Sequence, residues 1–134
     1  MAKLEDVEGI GSVQAQKLKA AGVVSLGSLL ETGKTPKGRA VLADKTGISE
    51  KLILEWVNHA DLYRIRGVGS EFSDLLEAAG VDTVVELARR VPENLHKKLL
   101  EVNEERKLVR RPPSITQVTG WVEQAAGLPR IIEY

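Results

Sequence analysis

The sequence predicts an all-α fold assembled from two tandem units that repeat one another. Three observations carry this expectation. Gly9-Ile10-Gly11-Ser12 returns as Gly67-Val68-Gly69-Ser70, and Ala20-Ala21-Gly22-Val23 returns as Ala78-Ala79-Gly80-Val81, at a constant offset of 58 residues. Aromatic residues make up only 4% of the chain while apolar residues reach 43%, and the Leu, Val and Ala content suits helices closing on helices better than a sandwich of sheets. Apolar residues also fall at helical spacing between glycines and prolines that punctuate the chain.

The elements follow in order. After each Gly-apolar-Gly, Ser12 and Ser70 stand where a helix start is capped. Ala15, Leu18 and Ala21 mark the apolar face of the first helix, and Phe72, Leu75, Leu76 and Ala79 that of its counterpart. Gly22 and Gly80 occupy the position of a left-handed helix stop. Shorter helices are expected near Ser25–Glu31 and Thr83–Arg90, the first ended by Gly33 and the second followed by Pro92. Helices near Pro36–Thr46 and Glu93–Arg106 come next, and long ones over Ser49–Tyr63 and Ser114–Ala126 close each repeat. Gly120 weakens the last of these by about 1 kcal/mol relative to Ala, a concession that suits a close helix contact. "SEKLILEWV" and "SITQVTGWV" align at an offset of 65, so the second unit has gained seven residues, placed around "NEERKLVRRPP". The expected boundaries are 1–61 for the first unit, 62–128 for the second with its insertion near 103–113, and 129–134 for an extended tail.

Composition excludes several classes of function. Lys plus Arg and Asp plus Glu are nineteen each, so any attraction to nucleic acid must come from a local patch rather than a basic excess. With no cysteine there are no disulfides or thiolate metal sites, and His59 and His96 lack paired ligand spacing, so neither a metal nor a cofactor is expected. No apolar run approaches twenty residues and no signal peptide opens the chain, which points to a cytoplasmic protein away from membranes.

The stretch "GSLLETGKTPKG" imitates a nucleotide-binding loop. Such a loop needs four residues between its first glycine and Gly-Lys-Ser/Thr, whereas five separate Gly27 from Gly33. No β-branched strand precedes it, and Pro36 follows Thr35 directly. The stretch reads as helix punctuation, with Gly33 as a stop and Thr35-Pro36 as the cap and first position of the next helix.

"GIGSVQAQKLKAAGV" and "GVGSEFSDLLEAAGV" resemble the helix-hairpin-helix motif, two short helices joined by a Gly-apolar-Gly turn. The paired copies resemble an uncharacterised bacterial family with two hairpin repeats, and "AAGVDTVVELARRVPENL" resembles the C-terminal domain of the bacterial RNA polymerase α subunit. The resemblance implies two tandem SAM-like units related by a pseudo-two-fold repeat, with the hairpins side by side and able to span the strands of a minor groove. It also implies a non-enzymatic module that binds DNA backbone without sequence preference. Its phosphate-holding residues would be Gly9, Ile10, Gly11 and Ser12 with Lys17 and Lys19 in the first unit. In the second they would be Gly67, Val68, Gly69 and Ser70, supported by Arg64 and Arg66. Glu71, Asp74 and Glu77 follow the second turn, where a binder would carry Lys or Arg, which makes that hairpin the weaker site.

The same turns also serve as plain scaffold, and a protein-interaction adaptor is the rival reading. Arg106, Lys107, Arg110 and Arg111 form the densest positive cluster, an auxiliary patch for a backbone or an acidic partner, partly offset by Glu101, Glu104 and Glu105. "RAVLADKTGISEKLILEWVN" fits a helix-turn-helix pattern around Gly47. Its second helix offers Ser49, Glu50, Lys51 and Leu54, which are poor base readers, so an ordinary helical corner is expected. Trp56 and Trp121, at matching positions, read as core. His59 and His96 read as surface helix residues with no catalytic partner. The oligomeric state is open.

Overall fold

The computed structural model describes residues 3–7 and 9–134, so residues 1, 2 and 8 of the expected first unit lie outside the description. Among the described residues the protein is all-α: a short 3-10 turn, Leu4–Asp6, precedes eight α-helices, and there is no strand. Two compact units divide the chain, Met1–Asp61 with Ile131–Tyr134 (unit 1) and Leu62–Arg130 (unit 2).

Unit 1 contains α1 (Ser12–Ala20), α2 (Leu26–Gly33), α3 (Pro36–Thr46) and all but the last residue of α4 (Glu50–Leu62). α1 ends where expected. Gly22 takes φ +94°, and the Val23 N–H closes on the Leu18 carbonyl at 2.9 Å, a left-handed stop that also buries Val23. Ser25 caps α2 by accepting from the Ser28 N–H at 3.1 Å. Thr35 caps α3 by accepting from Gly38 at 3.0 Å, with Pro36 in the first turn. Gly47, at φ +75°, ends α3. Leu18, Leu29, Leu42, Ile53 and Trp56 are fully buried.

Unit 2 repeats the order with α5 (Ser70–Ala78), α6 (Val84–Ala88), α7 (Pro92–Arg106) and α8 (Ile115–Ala126). α8 packs on α6 and α7, and α5 packs on α7. Gly80 repeats φ +94°, and Val81 donates to the Leu76 carbonyl at 2.8 Å. Phe72 meets Trp121 at 5.1 Å between ring centroids, tilted by 54°, in the favourable range for an aromatic pair. The added residues of this unit lengthen α7 and the connection that follows it.

Three sequence expectations are corrected. Ser12 and Ser70 are the first helical residues, and the N-caps are Gly11 and Gly69, which have no side chain to offer. Gly33 does end α2, with Lys34 after it in the right-handed region, and a Cβ at Gly33 would collide with Cγ2 of Val57. The glycine is there for close approach of α2 to α4. Gly120 permits no such approach, because a Cβ there would meet nothing within 4 Å. Finally, His59 is buried at 5% exposure rather than on the surface. The end of the chain has no regular secondary structure, with Pro129 and Arg130 counted in unit 2 and Ile131–Tyr134 in unit 1.

Candidate functional site

The two Gly-apolar-Gly turns have the same local build. Gly9 and Gly67 both adopt φ +91°, which L side chains rarely take. The apolar residue between the glycines, Ile10 or Val68, is buried and anchors the turn. The second glycine is extended: Gly11 has φ −85° and ψ −176°, and Gly69 has φ −103° and ψ −163°. Its carbonyl accepts the first helical hydrogen bond, from Ala15 in one unit and from Ser73 in the other, both at 2.9 Å. The first backbone N–H groups of a helix have no acceptor within it. At α1 and α5 these belong to Ser12, Val13 and Gln14, and to Ser70, Glu71 and Phe72. Five of the other helices satisfy one such donor with a Ser or Thr oxygen, from Ser25, Thr35, Ser49, Thr83 or Ser114.

The two glycines of each turn have different reasons to be glycine. A Cβ on Gly9 or Gly67 would press on a tryptophan and sit on a strained backbone. A Cβ on Gly11 or Gly69 would meet nothing within 4 Å among the described residues, on a backbone that any residue adopts. Among the described residues nothing demands the second glycine, which is exposed and puts no side chain over the helix start. At a helix N-terminus, N–H groups together with the helix dipole attract an anion.

The charged residues expected beside the turns fall into two groups. Lys17 and Lys19 lie in the last turn of α1. Lys19 is paired with Glu5 at 3.6 Å on the surface, while Lys17 is exposed and shares the exposed face of α1 with Val13, one turn nearer the N-terminus. In unit 2 the Arg64 guanidinium donates to the Pro129 carbonyl at 3.0 Å. The Arg66 backbone is held by Gln124, whose Oε1 accepts from the Arg66 N–H at 2.9 Å and whose Nε2 donates to the Arg66 carbonyl at 3.1 Å. The Arg66 side chain itself is exposed. Sequence reasoning missed Gln124. Its signal was its place three residues after Trp121, where the first repeat has His59 after Trp56.

A protein-family model described as a domain of unknown function, DUF4332, matches residues 8–128. The chain belongs to that family. No curated protein and no solved structure matches it.

The basic cluster is part of a built loop. Lys107 closes α7 at φ +52°, the one non-glycine residue with positive φ among those described. Buried Asn103 then fixes the loop, donating to the Val109 carbonyl at 3.1 Å and accepting from the Val109 N–H at 2.9 Å. His96 Nε2 lies 3.0 Å from the Pro113 carbonyl. Arg106, Lys107, Arg110 and Arg111 stay exposed. An open cleft in unit 2 is lined by Lys107 and Arg110 together with Leu100, Leu108, Pro112, Glu104 and Glu71. Glu71 sits in the first turn of α5. The structure thus brings the auxiliary patch to the same cleft as the start of the second turn's helix, a proximity that sequence spacing did not reveal.

Among the described residues no group of His, Asp and Glu is placed to hold a metal ion, and no helix is long and apolar enough to cross a membrane.

Proposed function

We propose that both units are helix-hairpin-helix folds, and that the protein is a non-enzymatic module holding nucleic-acid backbone through the N–H groups at the starts of α1 and α5. The observation that carries this reading is the second glycine of each turn. Gly11 and Gly69 lack any packing or conformational need to be glycine, yet both cap a helix without a side-chain oxygen. Ser, Asp or Asn would cap better in the absence of a ligand. A glycine there leaves room for a phosphate oxygen to approach the amides. Such contacts position a backbone and carry no sequence information.

The units differ in strength. At the position after the first helical residue, unit 1 carries Val13 and unit 2 carries Glu71. A carboxylate in the first turn suits the helix dipole and opposes a phosphate. Unit 1, with Lys17 on the same helix face, is the stronger site. In unit 2, Lys107 and Arg110 share a cleft with Glu71 and offset part of its charge.

Titration of a labelled DNA duplex by fluorescence anisotropy over a salt series tests the reading. With zero net charge, affinity falls in the non-specific range of about 10⁻⁴–10⁻⁶ M at physiological salt. Four to six phosphate contacts give a slope of roughly −3 to −5 in log K against log salt, at about −0.9 per phosphate. No binding at low salt, where a backbone binder is strongest, removes the reading.

A second reading, a protein-interaction adaptor, is favoured by the unit 2 cleft. There Leu100 is 41% exposed beside charges of both signs. Arg110→Glu with Arg111→Glu separates the two: loss of a protein partner while DNA binding through Gly11 persists assigns the loop to the adaptor role.

A further inference from the structure

The imitation nucleotide loop has a different occupant. Within unit 1, the Lys34 carbonyl accepts from the Glu133 N–H at 2.7 Å. Arg39, only 6% exposed, spans the remaining gap: Nη1 donates to the Gly33 carbonyl at 2.9 Å, and Nη2 donates to the Glu133 carbonyl at 2.8 Å. Ile132 is buried at 3% exposure. The Tyr134 hydroxyl donates to Oδ1 of Asn58 at 3.2 Å, and Asn58 is itself 8% exposed. Both main-chain polar groups of Glu133, one aliphatic side chain and one tyrosine hydroxyl are thus each met by a fixed feature of unit 1.

We propose that unit 1 carries a recognition groove for a short segment with an aliphatic residue two places before a tyrosine, filled by the chain's own Ile132-Glu133-Tyr134, and able to take the same segment in trans when the attached copy is withdrawn. This rests on contacts inside unit 1 and does not depend on nucleic-acid binding.

Three features separate a recognition groove from ordinary packing. The bound segment has no regular secondary structure and is met largely through its main chain, as in peptide recognition by backbone pairing with side-chain pockets for specificity. The groove is built on helices: α2 supplies Gly33, the residue after it supplies the Lys34 carbonyl, α3 supplies Arg39 and α4 supplies Asn58. The groove also contains a cation, Arg39, whose second acceptor comes from the segment. A ligand that restores this carbonyl regains a charge-assisted hydrogen bond that water otherwise supplies. Attachment through the same chain makes the native segment an intramolecular competitor, so the tethered copy excludes a free one. A second copy of this chain supplies the same segment.

The test uses the full-length chain with its own segment disabled, Ile132→Asp with Tyr134→Ala. The probe is an acetylated and amidated peptide of residues Leu128–Tyr134, carrying a fluorophore for anisotropy. Saturable binding to the variant, at least tenfold tighter than to the unaltered chain, supports the groove. Peptide at 100 times its dissociation constant then shifts the folded-to-unfolded ratio roughly a hundredfold, seen as a raised midpoint of thermal unfolding. Adding Arg39→Lys, which keeps the charge and loses the forked geometry, should weaken peptide binding at least tenfold. If the double variant is unfolded alone and folds on adding peptide, the proposal stands. If it does not fold in either state, Tyr134→Ala alone provides the same comparison. A folded variant that shows no saturable binding up to millimolar peptide, or a Tyr134→Ala chain that binds no better than the unaltered one, overturns it.

Discussion

A Cβ added to Gly9 would stand 3.2 Å from Nε1 of Trp56, and one added to Gly67 would stand 3.2 Å from Nε1 of Trp121. Each turn lies against the indole of its own unit's last helix. The repeat preserves this relationship although seven residues have entered between the partners in unit 2. The tryptophans are 1% and 3% exposed, so they form the floor on which the turns rest.

Gly9→Ala and Gly67→Ala should therefore each destabilise their unit. The left-handed backbone costs an L residue about 1–2 kcal/mol, and pressure on the indole adds to it. Urea unfolding followed by tryptophan fluorescence measures the loss. A neutral effect at either glycine would mean that the turn relaxes away from its tryptophan.

Gly33→Ala should destabilise unit 1 by about 1–3 kcal/mol through overpacking against Val57. Lys34→Ala should change stability little, because only the Lys34 main chain meets Glu133, and its side chain makes a surface pair with Glu31. Neither variant should alter an absence of ATP or GTP binding. Nucleotide binding lost on Lys34→Ala, measured by calorimetry, would restore the nucleotide-loop interpretation.

Much of the helical layout was legible because its signals are local. Gly22, Gly47 and Gly80 end helices in the left-handed region, and Thr35-Pro36 opens one, just as their residue types require. Trp56 and Trp121 fell at apolar helix positions and are core. What escaped the sequence depends on distant partners. Gly33 looks like any helix-ending glycine until Val57 is seen against it. Arg39 carries no local sign of burial, which comes from the carbonyls of Gly33 and Glu133 that its guanidinium meets. His59 carried no sign of burial beyond its alignment with Gln124. Ser12 and Ser70 misled because serine is a strong cap, and only the backbone angles reveal that the glycine before each holds that place.

The unit 2 loop is held by an Asn103–Val109 pairing that can be removed. Asn103→Ala leaves the N–H and C=O of buried Val109 without their partner, at about 1–3 kcal/mol for each unsatisfied group. Lys107→Gly should do the reverse, stabilising by up to about 1 kcal/mol, since the left-handed cap suits glycine. Thermal unfolding of both variants, with amide exchange at Val109, reads the two effects. If Lys107→Gly stabilises the protein yet weakens a ligand, the strained lysine is kept for binding.

The sharpest prediction sets stability against binding at Gly11. Gly11→Asp places a carboxylate at an N-cap whose backbone is already extended and whose surroundings are open. The aspartate oxygen accepts from the N–H of Val13 or Gln14 and complements the helix dipole, so stability should hold or rise by a few tenths of a kcal/mol. The same oxygen occupies the amides that a phosphate needs and adds a repelling charge. DNA affinity should then fall at least tenfold, which corresponds to about 1.4 kcal/mol. Gly69→Asp should cost less, because Glu71 already stands beside those amides in the first turn of α5. Neutral Gly11→Ser separates charge from occupancy, as it caps the amides without adding a negative group. Anisotropy titrations alongside urea unfolding decide the matter. If Gly11→Asp stabilises the fold and leaves DNA affinity unchanged, the α1 amides hold no phosphate, and any DNA binding must come from elsewhere.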